Sequence, residues 1–462
     1  MMRRLLLLML LWLPLVTFGQ EIAGSWHGTL EMGNTKLRLL FHFTQEGDTW
    51  RATMDSPDQG VRGIPVDSVA VTPLGVTLTS KALQMTYTAG FLGENLVGLF
   101  TQGGASLSLM LQRGTGEPRH RPQNPVKPYP YHSEEVHFMS RDGVTQLYGT
   151  LTRPETEGLY PAVVLVTGSG TQNRDEELME HRPFLVLADR LTRAGYAVLR
   201  YDDRGYNATP EELERLQGST TEHLMLDALG AFDWLREQPT IDAARIGIAG
   251  HSEGGTIAFM AAAREAEMAF VISLAGMMVR GDQLLVTQNC ALLLQSGMPQ
   301  SLVEAYGTAL ERLYAAWHTL SPEEIVAKKE QLVAEATAGV QLPEPLRQNL
   351  YKLCDMAQNP WMYYFVRLDP TEAIRGLGAR PCLAVNGTKD LQVDAEENLG
   401  RLKELLGDGK GQTIRAYEGL NHLMQPCTTG AVTEYAQIET TIDEQLLADL
   451  VIWLQENVTI MK

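Results

Sequence analysis

Cysteine is scarce in this chain, with four in 462 residues, at 290, 354, 382 and 427. No two form a CxxC pair and no Cys/His spacing matches a zinc site, which argues against a metal centre or a disulfide-dense scaffold. One or two disulfides stay open if the chain is exported, and Cys382, inside an apolar run, reads as a core residue. Positive charge is also in deficit: 38 Lys and Arg stand against 56 Asp and Glu, for a formal net charge of -18. The acidic residues are spread along the chain, giving a solvated acidic surface. Nucleic acid is therefore not an expected partner, since binding phosphates needs a basic face. Beyond residue 16 no apolar run is long enough to span a bilayer. No internal repeat is visible.

What is present fits a large globular protein. Hydrophobic residues make up 44% and charged residues 20%, enough to bury a sizeable core, and the length suggests two or three modules. Met1-Met2-Arg3-Arg4 is a short positive segment, followed by the apolar run Leu5 to Val16 and by Thr17-Phe18-Gly19-Gln20. This is the layout of a secretory signal peptide over residues 1–19, so the expected location is secreted or periplasmic, with no membrane span after cleavage. An uncleaved anchor is the alternative. No cysteine lies near the cleavage point, which argues against a lipid-modified N-terminus.

Residues 20–112 carry a β pattern. Leu37, Leu39, Phe41 and Phe43 alternate with more polar neighbours, as do Leu83, Met85 and Tyr87 and then Leu107, Leu109 and Leu111, with Gly-rich turns between. A small all-β barrel or sandwich is expected there. Residues 113–131 hold five prolines, at 118, 122, 125, 128 and 130, and read as an extended, stiff linker. From residue 132 to the C-terminus strands and helices alternate. Ala162 to Val166, Tyr196 to Tyr201, Arg245 to Ala249, Phe270 to Ala275, Cys382 to Val385 and Thr413 to Tyr417 read as strands. Helices fall near 184–193, 223–236, 254–263, 396–406 and 443–454. Such βα units imply a doubly wound, mostly parallel sheet. The alternation stops at about 278–377, where Val303, Tyr306, Leu310, Leu313, Tyr314 and Trp317 recur at helical spacing, so a helical insertion is expected.

Gly250-His251-Ser252-Glu253-Gly254-Gly255 joins a strand to a small-residue helix. G-x-S-x-G in this setting is a nucleophile elbow: the turn strains the serine, and side chains at Gly250 and Gly254 would strike neighbouring backbone. Ser252 is the expected nucleophile. A serine needs a base, and the base an orienting acid, which in this setting follow in the order Ser, Asp or Glu, His. Past Ser252 only His318 and His422 remain. His318 falls in the helical insertion, whereas His422, in Gly419-Leu420-Asn421-His422 between a strand and the last helix, sits where the base belongs. Asp390 lies just beyond the preceding strand and is the expected acid, with Asp394 its competitor. Two backbone N–H groups must hold the oxyanion. These are assigned to Glu253 and to the loop Thr167-Gly168-Ser169-Gly170, with Ser169 first and Gly170 second. Arg204 is expected to pair with Glu253 or with a neighbouring aspartate. Met277, Met278, Met298, Met356 and Met362 either line an acyl pocket or fill core.

Five motifs from Val136 onward resemble bacterial α/β-hydrolase esterases related to dienelactone hydrolases and to the serine aminopeptidase-like group. They are Gly168-Ser169-Gly170 with Asn173-Arg174-Asp175, Asp202-Asp203-Arg204-Gly205, the elbow itself, Asn386-Gly387-Thr388-Lys389-Asp390, and Asn421-His422. The resemblance implies an α/β-hydrolase sheet with a helical cap, and hydrolysis of small-molecule esters, usually short-chain, without metal or organic cofactor. A peptidase or acyltransferase using the same triad is the alternative. Arg204-Gly205-Tyr206-Asn207-Ala208-Thr209 departs from the R-G-x-G-x-S pattern common in that group, so the shape of this loop is open.

Overall fold

The computed structural model describes residues 22–458 except 33–34, 48, 73, 118 and 408–410. The expected signal peptide lies outside the described residues. The chain divides into two compact units between residues 118 and 119.

The first unit is a nine-stranded antiparallel sheet running from Gly24–Met32 to Ala105–Arg113. Sequence neighbours pair as hairpins except Val61–Pro65 and Ser68–Thr72, which stand at the two ends of the strand order, and the first strand also pairs with the last through Trp26 with Arg113 and His27 with Gln112. Its period-two residues turn inward to one core, in which Trp26, Phe41, Tyr87 and Leu111 are buried. A strand such as Met85–Leu92, alternately buried and exposed, is held by this one-sided burial.

The second unit is built on eight strands: β1 (His132–Met139), β2 (Gln146–Arg153), β3 (Tyr160–Val166), β4 (Ala197–Tyr201), β5 (Ile241–His251), β6 (Val271–Leu274), β7 (Cys382–Gly387) and β8 (Gln412–Tyr417). Their order across the sheet is β1-β2-β4-β3-β5-β6-β7-β8. The β1–β2 and β2–β4 pairs are antiparallel and the rest are parallel. Every residue of β3, β4, β6 and β7 is buried, because helices cover both faces of the sheet. One core lies under helices Thr221–Arg236 and Glu253–Arg264, the other under Pro183–Arg193 and Glu444–Asn457. Between β6 and β7 the chain leaves the sheet for helices Gly281–Gln295, Gln300–Trp317, Pro322–Ala327, Lys329–Ala336, Glu344–Met356, Pro360–Arg367 and Thr371–Arg375. The apolar stripe of Gln300–Trp317 gives this insertion a core of its own.

One expectation changes, and two open points close. The stiff linker expected over 113–131 divides, because its later part belongs to the second unit. The Arg121 guanidinium is buried and donates to the carbonyls of Met179, Ala436 and Ile438 at 2.7–2.9 Å. Three backbone acceptors satisfy a charge that the proline count could not foretell. No disulfide forms, and all four cysteines are free. The loop that departs from the esterase pattern, Arg204 to Thr209, leads into a short helix, Pro210–Leu216, capped at its start by a Thr209–Glu212 capping box.

Candidate active site

The parallel register brings the functional loops to one edge. Val166 at the end of β3 lies opposite Gly250 on β5, His251 opposite Leu274 on β6, and Gly387 on β7 opposite Tyr417 on β8. The loops leaving β3, β5, β7 and β8 therefore open together at the carboxyl ends of the strands, where open α/β sheets carry their sites.

The elbow is tight. Ser252 has φ 54° and ψ -123°, a conformation that non-glycine residues rarely adopt, and its N–H donates to the Leu274 carbonyl at 2.9 Å. A Cβ on Gly250 would stand 1.9 Å from the Gly254 carbonyl oxygen, and one on Gly254 would stand 2.1 Å from that of Val166. Only glycine fits at either place. Gly168 lies so near that its Cβ would be 3.0 Å from Ser252 Cβ, which sets the loop after β3 against the nucleophile.

His422, on the loop after β8, is buried with its Nδ1 2.8 Å from Asp390 Oδ2. The other Asp390 oxygen accepts the N–H groups of Gln392 and Val393 at 2.7 and 2.9 Å, so the carboxylate is held on both sides. Asp394 does something else: its side chain accepts the Glu397 N–H at 2.8 Å as the N-cap of helix Ala395–Leu406. Ser252 and His422 line the same cavity, of about 270 Å³. The Ser252 hydroxyl makes no hydrogen bond among the described residues; such bonds commonly close only around substrate.

The loop after β3 is pinned at several points. The Gly168 N–H donates to Glu176 Oε1 at 2.8 Å, and the Ser169 hydroxyl to Glu253 Oε2 at 2.7 Å. Asp203 accepts the Thr167 hydroxyl and the Gln172 N–H. Burial pushes the Asp203 carboxyl well above its ordinary range, against the pull of those two donors. Among the described residues no hydrogen bond occupies the backbone N–H of Ser169 or of Glu253, whose side chains are bonded to each other. Glu253 also accepts the Thr221 hydroxyl at 2.6 Å and the Trp361 indole N–H at 2.9 Å. Burial raises its carboxyl, and the three donors oppose that.

Arg204 pairs with aspartates and not with Glu253, though not with Asp202 or Asp203 beside it in sequence. It binds Asp227 at 2.5 and 2.7 Å and Asp142 at 3.1 Å, because helix Thr221–Arg236 brings a buried carboxylate to it. His318 binds Asp282 at 3.0 Å, away from the elbow. Of the methionines only Met277 lines the cavity, beside Leu284, Leu285, Trp361 and Phe365. The sequence reasoning passed over Glu176, the His251 ring and Trp361. Two of them sat beside residues already singled out, His251 inside the elbow motif and Glu176 just after Asp175.

An eight-stranded sheet of this order, with a serine at a strained strand-to-helix elbow, defines a serine hydrolase of the α/β-hydrolase superfamily. Residues 142–409, more than half of the chain, match the model of the X-Pro dipeptidyl-peptidase (S15) family, and the chain belongs to that family. It is 27% identical over 281 residues to esterase EstD of Thermotoga maritima, a match covering 61% of this chain and 58% of that esterase. Among solved structures, the acylaminoacyl peptidase of Pyrococcus horikoshii aligns with 95% of this chain and 67% of its own, at 15% identity and a TM-score of 0.46. The dienelactone hydrolase of Anabaena variabilis aligns with 71% of this chain and 99% of its own, at 18% identity and a TM-score of 0.39.

Proposed function

We propose that this protein is an exported carboxylesterase acting on small esters with short acyl chains. Ser252 attacks the ester carbonyl while His422 takes its proton, and Asp390 holds the imidazole in the tautomer that leaves Nε2 free to do so. The backbone N–H groups of Ser169 and Glu253 receive the oxyanion. His422 then protonates the departing alcohol, leaving an acyl group on Ser252, and the same base activates the water that removes it. The reaction so written uses no metal and no organic cofactor.

The observation that carries this reading is the cavity shared by Ser252 and His422. At about 270 Å³ it falls just below the usual range of ligand pockets, roughly 300–1,000 Å³, and apolar side chains form much of its wall. Two carboxylates also line it, yet both are engaged within the protein. Glu176 is bonded to His251 and Gly168, and Glu253 to Ser169, Thr221 and Trp361. A site built to hold the ammonium of a peptide N-terminus would keep such a carboxylate available. The identity to an esterase supports the same reading.

The second reading, a peptidase, is favoured by the family match over residues 142–409. Rates on p-nitrophenyl acetate, butyrate and decanoate, measured beside aminoacyl and prolyl anilides, separate the two. Acetate and butyrate should be cleaved fastest. Anilides cleaved faster than the short esters would replace the esterase with a peptidase.

Export rests on the basic and apolar pattern of residues 1–19. N-terminal sequencing of the native protein should begin near Gln20, and a retained Met1 would contradict it.

A further inference from the structure

His251 stands immediately before the nucleophile, and its ring is buried between two other loops. Its Nδ1 is 2.9 Å from Glu176 Oε1, and its Nε2 is 2.9 Å from the His422 backbone carbonyl oxygen. Both partners are acceptors. A neutral imidazole carries one N–H, so the ring makes both bonds only when doubly protonated. The same Glu176 oxygen accepts the Gly168 N–H. One buried ion pair thus joins the loop after β3, beside Ser169, to the elbow after β5 and to the base loop after β8. Glu176 holds its place at φ 52°, an unfavourable backbone conformation for glutamate that persists where the surroundings fix it.

The charges around this ring are few. Glu176 faces it from the loop after β3, Asp390 from the loop after β7, and the His422 ring from the loop after β8, with centroids 4.8 Å apart. Glu176 in turn acts on Asp203, just past the end of β4, and helps to raise its carboxyl. Burial pulls the His251 imidazolium down, but the Glu176 charge and hydrogen bond, the His422 carbonyl and Asp390 outweigh it and hold the group at about 8.

We propose that Glu176 and His251 form a positioning pair, which as an imidazolium–carboxylate ion pair keeps the oxyanion loop and the base loop in register with Ser252. This rests on the assignment of Ser252, His422 and Asp390 given above. When the imidazolium loses a proton, the carboxylate, the stronger acceptor, keeps the one on Nδ1. The bare Nε2 lone pair then faces the His422 carbonyl, and the base loop loses its tie to the elbow. Turnover therefore falls as pH rises through about 8.

The test compares kcat and KM for p-nitrophenyl butyrate across pH in the wild-type enzyme, Glu176→Gln and His251→Asn, with the spontaneous rate subtracted. In Glu176→Gln the amide oxygen takes the place of Oε1 and still accepts from Gly168 and from Nδ1, but the charge that favours the imidazolium is gone. His251 then loses its Nε2 proton more readily, so the alkaline limb should move to lower pH. His251→Asn breaks the tie at every pH and should lower kcat about 10- to 100-fold, with KM changed less than about threefold, as loosened positioning does. A wild-type kcat that stays level through the limb region overturns the proposal without any variant. So does an unchanged limb in Glu176→Gln, or a wild-type kcat in His251→Asn. Failure of the catalytic assignment reads differently, as ester hydrolysis that survives Ser252→Ala.

Discussion

Ser252→Ala should lower kcat for ester hydrolysis by about 10⁴-fold or more, the usual loss when a nucleophile is removed. Folding should survive unchanged. The strained conformation at φ 54° is imposed by the turn, and alanine keeps the Cβ that Gly168 packs against. The hydroxyl makes no hydrogen bond among the described residues, so its removal orphans no buried partner, the usual source of a large stability loss. Melting temperature should therefore match the wild type while turnover disappears. Substrate should still bind, since the cavity walls of Met277, Leu284, Leu285, Trp361 and Phe365 are untouched.

Asp390→Asn should lower kcat by roughly 10²- to 10⁴-fold with KM nearly unchanged. The amide oxygen can keep accepting from Gln392 and Val393, so the loop holds its shape. The amide nitrogen, however, takes the place of the oxygen that faced His422 Nδ1 at 2.8 Å. A donor there makes Nδ1 the acceptor and drives the proton to Nε2, the atom that must accept the serine proton. The variant also loses the negative charge that stabilises the imidazolium formed during attack. Asp394→Ala provides the contrast. It removes the N-cap bond to Glu397, costs about 1 kcal/mol of stability, and should leave kcat near the wild-type value. Steady-state kinetics and thermal denaturation on the two variants decide between the aspartates, and the reverse pattern would move the acid to Asp394.

The elbow was legible because its chemistry is local. Backbone contacts at 1.9 and 2.1 Å demand Gly250 and Gly254 within a few residues of the serine, so the requirement is written in consecutive letters. The strands β3, β4, β6 and β7 and the second half of β5 were legible for a related reason, since burial on both faces leaves near-continuous apolar runs such as Ala162 to Val166. Strand β1 gave little signal. His132–Met139 is an edge strand, mostly exposed, and its charged and polar residues carry no burial pattern. The proline-rich stretch misled for a different reason. Composition reports stiffness, but the three carbonyls that bind Arg121 come from segments about 60 and more than 300 residues away, and no local pattern reports such partners.

The same distance in sequence hid the supports of the site. Glu176 and His251 are 75 residues apart, and Glu253 and Trp361 are 108 apart. Neither pair has a fixed spacing, because loop lengths between strands do not affect which strand ends meet. Asp390 and His422 are also far apart, yet they could be named because the order of the three catalytic groups along the chain is restricted. Arg204 shows the opposite case: an aspartate was one of the two partners weighed for it, but which aspartate could not be read, since the helix Thr221–Arg236 delivers Asp227 from a direction that strand order alone does not define.

Mass spectrometry of peptides after treatment with a fluorophosphonate tests the central claim most directly. Nucleophilic chemistry at Ser252 predicts one adduct, on the peptide carrying Gly250 to Gly255, accumulating in step with the loss of ester hydrolysis. Hydrolysis that continues undiminished after Ser252 is fully labelled, or full inhibition with the adduct on another residue, would contradict it.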